Sequence, residues 1–338
     1  MKTEYLKTVE IWGKAAIASY LWEHILGGTK LVDPENPSIY LAQLSTPKCL
    51  LIYKEGPGLQ MHNISMKADP LVLVLNGRTQ EKVLESKKWL AFIKETRPLL
   101  KVVLFLLGNE KCNNIWLQEF LYPQGPVHGA FITYDVPTLD EKMTFQWPLG
   151  VATYRHFPLL FEKEVNPSQP RPYICNLQAT NYMNSSRAPL FSFLKTSKLA
   201  KVQCIIKERK EWSASESPQS SGEYVDILLK SDITLCPSGF NTETYRVYEA
   251  MAAGSIPVIE DVPSKGSCDE ASGWRLLKRF NPPVIWIKEW SKLKSILIKE
   301  RKMSIKEKTE RRKRLLNWYE WFKLRNSDRF TSFIHKLI

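Results

Sequence analysis

The sequence lacks several features that would assign a protein class at once. No apolar run approaches the roughly 20 residues of a membrane-spanning helix, and the N-terminus has no signal-peptide core, so we expect no anchor or signal in the chain as given. The 6 cysteines are scattered without a Cys-x-x-Cys pair or a Cys/His cluster, which argues against a zinc site. Gly-x-Gly-x-x-Gly and P-loop signatures are also missing, so no motif indicates a nicotinamide or P-loop nucleotide site.

The composition that remains is that of an ordinary soluble globular protein. The chain has 338 residues, of which 43% are apolar and 25% charged. At roughly 150 residues per domain, this length predicts about two domains. The net charge of +13 favours an anionic partner, namely nucleic acid, a membrane surface or a phosphorylated small molecule.

Two terminal segments are predicted to be helical. Near the N-terminus, Ile11, Ala15, Ala18 and Trp22 recur at helical spacing, which predicts a helix over residues 4–26. Residues 290–338 read as a basic C-terminal helical region, and the span 288–325 holds 14 Lys and Arg against 5 Glu. Much of the net charge therefore lies in this C-terminal region, and such a concentration is typical of the solvated face of a helix. Because zinc-finger spacing and RNP-like motifs are missing, we expect no nucleic-acid partner.

Between these segments, apolar runs of strand length alternate with helical stretches. The runs cover residues 71–77, 101–109, 129–135, 171–177, 201–206, 232–239, 255–261 and 284–288. This alternation indicates parallel sheets buried on both faces, hence an α/β fold. Residues 157–172 read as a linker, so we predict an N-terminal domain over residues 1–158 and a C-terminal domain over residues 168–338.

The segment 232–261, DITLCPSGFNTETYRVYEAMAAGSIPVIED, is the most informative. We predict a strand, a sharp turn at residues 237–239 and a helix that is capped by Asn241 or Thr242. This arrangement would direct the positive end of the helix to the carboxyl edge of a sheet, where phosphates bind. Arg246 and Glu249 are three residues apart and share a helix face. On spacing alone, an ordinary strand–helix–strand unit with a surface ion pair is an equally good interpretation.

Motifs along nearly the whole chain carry a family resemblance. They include VEIWGKAAIASYLWEHI (9–25), VLVLNGR (72–78), FQWPLGVATYRHFP (145–158), NTETYRVYEA (241–250) and GSIPVIEDV (254–262). The chain resembles exostosin-like glycosyltransferases, and among them the ribitol-5-phosphate xylosyltransferase family of the dystroglycan pathway. The resemblance implies a GT-B fold of two Rossmann-like domains facing a cleft. The N-terminal domain is then on the acceptor side, and the C-terminal domain binds the nucleotide sugar.

The same resemblance implies an activity and a location. The expected reaction moves xylose from UDP-xylose to a phosphoribitol unit on the O-mannosyl glycan of α-dystroglycan, with inversion at the anomeric carbon. The expected location is the Golgi lumen or membrane, with other enzymes of that pathway as further partners. In one departure, Ala179 stands where the family has glycine. The alternative function is therefore a catalytically inactive glycosyltransferase-like partner or scaffold protein.

Candidate donor-binding residues follow from the motif and the resemblance together. Arg246 is assigned to the diphosphate, Glu249 to the uridine ribose, and Arg187 to a second phosphate contact. Ser238, Asn241 and Thr242 offer hydroxyl and backbone N–H groups for phosphate, although capping explains them equally well, and Glu243 is a candidate for the xylose hydroxyls. Because no Asp-x-Asp triplet is present, we expect no metal requirement and no cofactor besides the donor.

An inverting transfer also needs a base to accept the proton of the attacking hydroxyl. Asp135 and Glu110 each follow a predicted strand of the N-terminal domain, and they are the two candidates. Asp140, Glu10 and His24 are weaker alternatives, more simply interpreted as solvent-facing or packing residues.

Overall fold

The computed structural model describes residues 7–66, 68–134, 139–161, 163–213, 215–264, 266–268 and 273–338. The chain forms two compact units. The first unit comprises Met1–Pro148, Gly266–Cys268 and Lys323–Ile338, and the second comprises Leu149–Lys265 and Asp269–Phe322. The predicted boundaries, 1–158 and 168–338, remain a prediction. The compact units differ from them chiefly because the end of the terminal helix packs in the first unit.

The first unit is built on an eight-stranded mixed sheet. Its strands are β1 Lys7–Gly13, β2 Leu31–Val32, β3 Tyr40–Ser45, β4 Cys49–Glu55, β5 Leu71–Asn76, β6 Val102–Leu107, β7 Val127–Ile132 and β8 Thr144–Gln146. They are ordered β2-β3-β4-β1-β5-β6-β7-β8. Neighbours from β4 to β8 are parallel, whereas β2 and β3 add an antiparallel edge. The predicted strands over residues 71–77, 101–109 and 129–135 correspond to β5, β6 and β7.

The predicted N-terminal helix is wrong over the first described residues. Lys7–Gly13 forms β1, which pairs with β4 on one side and β5 on the other. Val9 and Ile11 are fully buried and Trp12 nearly so, as expected of a central strand covered on both faces. Within the described part of the predicted range, helical geometry covers residues 18–25 and includes the short helix Tyr20–Ile25.

The helices of the first unit cover its parallel strands. The helix α1, Gln80–Thr96, follows β5 and begins at Thr79, whose side chain accepts a hydrogen bond from the Lys82 N–H. Short 3₁₀ helices occupy Met61–Asn63 and Ile115–Phe120. The helix α1 is one of the helical stretches predicted between the apolar runs.

The second unit contains a five-stranded, wholly parallel sheet. Its strands are β9 Tyr173–Thr180, β10 Cys204–Arg209, β11 Ser231–Cys236, β12 Ile256–Glu260 and β13 Ile285–Ile287, in the order β10-β9-β11-β12-β13. Its helices are α2 Arg187–Thr196, α3 Lys198–Gln203, α4 Pro218–Leu229, α5 Tyr245–Ala252, α6 Arg275–Arg279 and α7 Leu293–Lys302, with 3₁₀ helices at Thr153–Arg155 and Trp290–Lys292. One large mixed sheet and one parallel sheet make the fold α/β, compatible with two Rossmann-like domains.

A long terminal helix, α8 (Ile305–Leu337), contributes to both units. Within the second unit, Leu315, Tyr319 and Phe322 are buried, and Lys308 and Arg312 bind the buried Asp232. Within the first unit, Phe330 packs edge-on against Phe105, 5.4 Å between ring centroids. Among the described residues, no helix combines the length and apolarity needed to cross a membrane.

Each unit holds one disulfide, a pairing that the sequence left open. Cys112–Cys268 lies in the first unit and fixes the short segment Gly266–Cys268 there. Cys175–Cys204 joins the adjacent strands β9 and β10 in the second unit. Cys49 and Cys236 are buried free thiols.

Candidate functional site

The carboxyl edge of the second unit's sheet gathers most of the predicted site residues. The loop after β11 leads into α5, whose N-cap is Thr244. The prediction that Asn241 or Thr242 caps this helix is wrong because Thr244 occupies the N-cap position and both predicted side chains have other partners. Asn241 Oδ1 accepts the Glu243 N–H at 2.9 Å, and Thr242 Oγ1 lies 2.7 Å from Ser264 Oγ.

Arg246 lies in the first turn of α5 and crosses to β9. Its Nη2 donates to the backbone oxygen of Gln178 at 2.8 Å. Its Nε and Nη1 are buried and have no hydrogen-bond partner among the described residues. A guanidinium carries five N–H donors, and buried donors are nearly always satisfied in folded proteins. The side chain therefore keeps two N–H-bearing nitrogens, Nε and Nη1, whose hydrogen-bonding capacity the described residues do not use.

Further polar atoms around Arg246 share this property. Within the described chain, the buried Oγ of Ser238, Oγ1 of Thr244 and Oε1 of Gln178 also lack a hydrogen-bond partner. Ser238 belongs to the loop after β11, Thr244 precedes α5, and Gln178 lies on β9 next to Arg246. We call Gln178, Ser238, Thr244, Arg246 and Glu249 the Arg246 cluster. Its donors and acceptors suit a phosphate-bearing polar ligand.

Glu249 lies one helical turn after Arg246 and is buried. Its Oε1 accepts the Ala152 N–H at 3.2 Å, and its Oε2 accepts the Tyr224 hydroxyl at 2.8 Å. Burial raises the pKa of the Glu249 carboxyl, although the hydrogen bonds from Tyr224 and Ala152 and the charge of Arg246 act in the opposite direction. Each carboxylate oxygen has capacity for a further hydrogen bond, such as one from a sugar hydroxyl.

Glu243 is also buried and makes hydrogen bonds within the same region. Its Oε1 accepts the Leu149 N–H at 2.9 Å and the Tyr248 hydroxyl. These bonds give Glu243 a structural task inside the second unit. Contact with a sugar stays a prediction for this residue.

Arg187 connects two loops at the same edge. Its Nε donates to the Ser238 backbone oxygen at 2.8 Å, its Nη1 donates to the Thr180 backbone oxygen at 3.0 Å, and its guanidinium lies 5.0 Å from the ring centroid of Tyr182. The side chain is buried. The structure thus places Arg187 beside Ser238, where it holds the loop after β11. A direct phosphate contact stays a prediction.

Sequence reasoning missed Glu260, the last residue of β12. Its Oε2 accepts the Ser186 hydroxyl and the Ser238 N–H, both at 2.7 Å. It therefore fixes the loop that carries Ser238 and the residue before α2. The available signal was its position, since a carboxylate ending an apolar strand in GSIPVIED lies at the ligand-binding edge of a parallel sheet.

The candidate bases belong to the first unit. Glu110 follows β6 and pairs with Arg78, which follows β5. Asp135 lies outside the described residues. The Glu110–Arg78 pair therefore places one candidate at the carboxyl edge of the first sheet, and no base is assigned.

The weaker candidates have structural contacts. Asp140 accepts the N–H groups of residues 142, 143 and 144, and Glu10 accepts the indole N–H of Trp12 at 2.7 Å. Burial lowers the pKa of His24 to about 3. Within the described ranges, no group of three or more His, Cys, Asp or Glu residues is arranged to hold a metal ion.

Comparison with known proteins gives a consistent result for both units. Residues 9–148 match the family model described as the RXYLT1 N-terminal domain, and residues 154–338 match the RXYLT1 C-terminal domain. The chain is 43% identical over 334 residues to ribitol-5-phosphate xylosyltransferase 1 of Danio rerio, covering 97% of this chain and 77% of that protein. The mouse protein of the same name is 42% identical (96% and 75% covered), and the human protein is 41% identical (97% and 76% covered).

Proposed function

Because this chain belongs to the family of ribitol-5-phosphate xylosyltransferases, we propose that it transfers a xylosyl group to a ribitol phosphate unit. The structural observation that supports this most directly is Arg246, a guanidinium whose buried Nε and Nη1 have no partner among the described residues. A nucleotide-sugar donor supplies the diphosphate that such a group binds.

The proposed donor is UDP-xylose, bound by the second unit. Arg246 contacts the diphosphate and stabilises the charge that develops on UDP as it leaves. Glu249 accepts hydrogen bonds from the ribose hydroxyls, while Tyr224 and Ala152 hold its carboxylate in place. Ser238 and Thr244 add hydroxyl groups near the phosphates. Arg187 and Glu260 keep the loop with Ser238 in position.

The proposed chemistry is an inverting, metal-independent displacement in a GT-B type enzyme. Arg246 and the N-terminal end of α5 take the role that a divalent cation has in other transferases. The first unit supplies the acceptor side and the base, for which Glu110 and Asp135 remain the candidates. The basic C-terminal helix α8 is proposed to be a packing element with a solvated charged face.

The proposed setting is the Golgi lumen or membrane, with α-dystroglycan's phosphoribitol-bearing O-mannosyl glycan as acceptor and other enzymes of that pathway as partners. The two disulfides, Cys112–Cys268 and Cys175–Cys204, support an oxidising compartment.

The test is a transfer assay with the purified chain, UDP-xylose and an acceptor that ends in ribitol 5-phosphate. We expect a xylosylated product with a β-anomeric signal by NMR, and undiminished turnover in EDTA. An α-linked product would refute inversion, and a metal-restorable loss would refute metal independence. Absence of turnover, under conditions where a close relative is active, would refute the enzyme proposal and favour the inactive-partner alternative.

A further inference from the structure

Four tripeptides of the form Asn-x-Ser occur in the chain. With any residue except proline at the middle position, this tripeptide is the attachment site of N-linked glycans in secreted proteins. NIS (63–65) and NSS (184–186) meet this condition, whereas the two NPS tripeptides (36–38 and 166–168) contain the excluded proline. The folded surroundings of Asn63 and Asn184 then decide which of them is suited to carry a glycan.

Asn63 is the last residue of the 3₁₀ helix Met61–Asn63, in the connection between β4 and β5. Its side chain is exposed and makes no hydrogen bond to any residue that the structure describes, whereas the next residue, Ile64, is buried. In both NPS tripeptides, by contrast, the asparagine Oδ1 accepts the N–H of its own serine, at 3.1 Å for Asn36 and 2.9 Å for Asn166. The Asn63 amide is therefore accessible and is not engaged by the described chain.

The segment that follows Asn63 is held at the amino edge of the first sheet. Arg97, which ends α1, donates to the backbone oxygens of Ser65 at 2.8 Å, Ala68 at 3.2 Å and Met66 at 3.3 Å. The helix α1 begins after the carboxyl end of β5 and ends before β6, which is parallel to β5, so its last turn lies at the amino edge. Ligands of open α/β sheets bind at the opposite, carboxyl edge. A glycan on Asn63 therefore leaves the carboxyl edge of the first sheet unobstructed.

Asn184 is exposed as well, but it lies at the carboxyl edge of the second sheet, between β9 and α2. The hydroxyl of Ser186, in the same tripeptide, is bound to Glu260, which also accepts the Ser238 N–H. A glycan on Asn184 would thus stand beside the loop that carries part of the Arg246 cluster. Of the two asparagines, Asn63 is the one whose modification leaves a ligand-binding edge clear.

We propose that Asn63 carries an N-linked glycan. In the reaction, Asn63 Nδ2 forms a bond to the anomeric carbon of an oligosaccharide that is linked to a lipid diphosphate. The carbon–oxygen bond to the diphosphate breaks, the lipid diphosphate leaves with the bonding electrons, and Nδ2 loses one proton. The inference rests on the secretory setting of the proposed function, which the disulfides Cys112–Cys268 and Cys175–Cys204 support. It is independent of any transfer by this chain.

The first test produces the full chain behind a secretory signal peptide in cultured animal cells and compares its electrophoretic mobility before and after treatment with peptide N-glycosidase. Treatment is expected to make the wild type migrate faster by the mass of one glycan, and Asn63→Gln is expected to lose this shift. The matched controls Asn184→Gln and Asn166→Gln, both at exposed asparagines, should keep it. An unshifted wild type, or a shift in Asn63→Gln as large as that of wild type, would overturn the proposal.

The second test needs no variant and no added signal peptide. The protein is purified from cells that express it naturally, and the peptide that contains Asn63 is analysed by mass spectrometry. Residue 63 should be recovered as aspartate only after glycosidase treatment, because the enzyme hydrolyses the glycosylated amide. Recovery of unmodified Asn63 without treatment, at full yield, would overturn the proposal even if the enzyme transfers xylose. A glycan on Asn63 in a protein that transfers no xylose would leave this inference standing while the proposed function fails.

Discussion

The carboxyl edges of the two sheets present their polar groups in different ways. In the second unit, Glu249 and Glu243 are buried, and each accepts two hydrogen bonds that fix its position. In the first unit, Lys14 donates to backbone oxygens of residues 56–59, and the partly exposed Lys82 pairs with Glu85.

This difference concerns how firmly each edge orients its polar groups. A nucleotide has a fixed arrangement of hydroxyl and phosphate groups, so a rigid, pre-oriented set of partners gains the most from it. Under the proposed function, the buried groups of the second edge are pre-oriented for the donor, whereas Lys14 and Lys82 of the first edge are engaged by the protein itself.

The disulfides of the two units test how far this contrast extends to stability. Cys112 and Cys268 are 156 residues apart and Cys175 and Cys204 are 29 apart. Loop-closure entropy predicts losses of about 5 and about 3.5 kcal/mol for the respective double Cys→Ser variants. Denaturant unfolding gives both values. The controls Cys49→Ser and Cys236→Ser, at the two buried free thiols, measure the destabilisation caused by serine alone. Equal losses in the free energy of unfolding for the two disulfides would contradict the prediction.

Arg246→Ala removes the group that the donor site depends on most. We expect kcat to fall about 10²–10³-fold, as when one transition-state donor is removed. The melting temperature should change little, since the side chain makes one hydrogen bond, to Gln178, in the described chain. Arg314→Ala, at an exposed arginine of α8, is the control of equal charge. Parallel losses of kcat and stability would make Arg246 a structural residue.

Glu249→Gln separates ribose binding from the cost of a buried charge. Gln keeps the shape but cannot ionise, and we expect UDP affinity to fall about tenfold. Because the pKa of Glu249 is raised in the folded state, that state binds the proton more tightly than the unfolded chain. Wild-type stability therefore decreases as pH rises above the unfolded value of about 4.3.

The variant lacks this decrease, so its stability relative to wild type should grow between acidic and neutral pH. Urea unfolding across that interval measures the difference. Glu223→Gln, at an exposed carboxylate of α4, should leave both the pH profile and UDP affinity unchanged. A constant difference between Glu249→Gln and wild type would mean that the buried carboxyl carries no such cost.

Local patterns were sufficient for much of the fold. Continuous apolar runs predicted β5, β6, β11 and β12, because each is buried over its length. The sequence prediction was wrong at β1. Ile11, Ala15, Ala18 and Trp22 recur at helical spacing, although residue 11 belongs to a strand. The partners of that strand, β4 and β5, come about 40 residues or more later, so no local pattern carries the information.

The candidate site divides in the same way. Arg246 and Glu249 were singled out from the sequence because helical spacing puts them on one face and because the motif around them carries the family resemblance. The contacts of Tyr224 and Ala152 with Glu249 were not, because they join segments that lie 25 and 97 residues apart in the chain. Glu260 was missed although its position at the end of an apolar strand was a signal. The hydrogen bonds of Lys14 likewise depend on carbonyl groups that only the folded loop over residues 56–59 brings together.

The first unit consists of three separate segments of the chain, and this determines when its sequence is complete during synthesis. Residues 7–148 leave the ribosome first, yet Cys268, Phe330 and Phe333 belong to the same unit. The sequence of the second unit is complete at residue 322. The sequence of the first unit is therefore completed after that of the second unit. A nascent chain that is interrupted before residue 323 lacks the rings of α8 that pack against Phe105 and Phe131. Such a product would present a ready surface to chaperones and quality-control proteases.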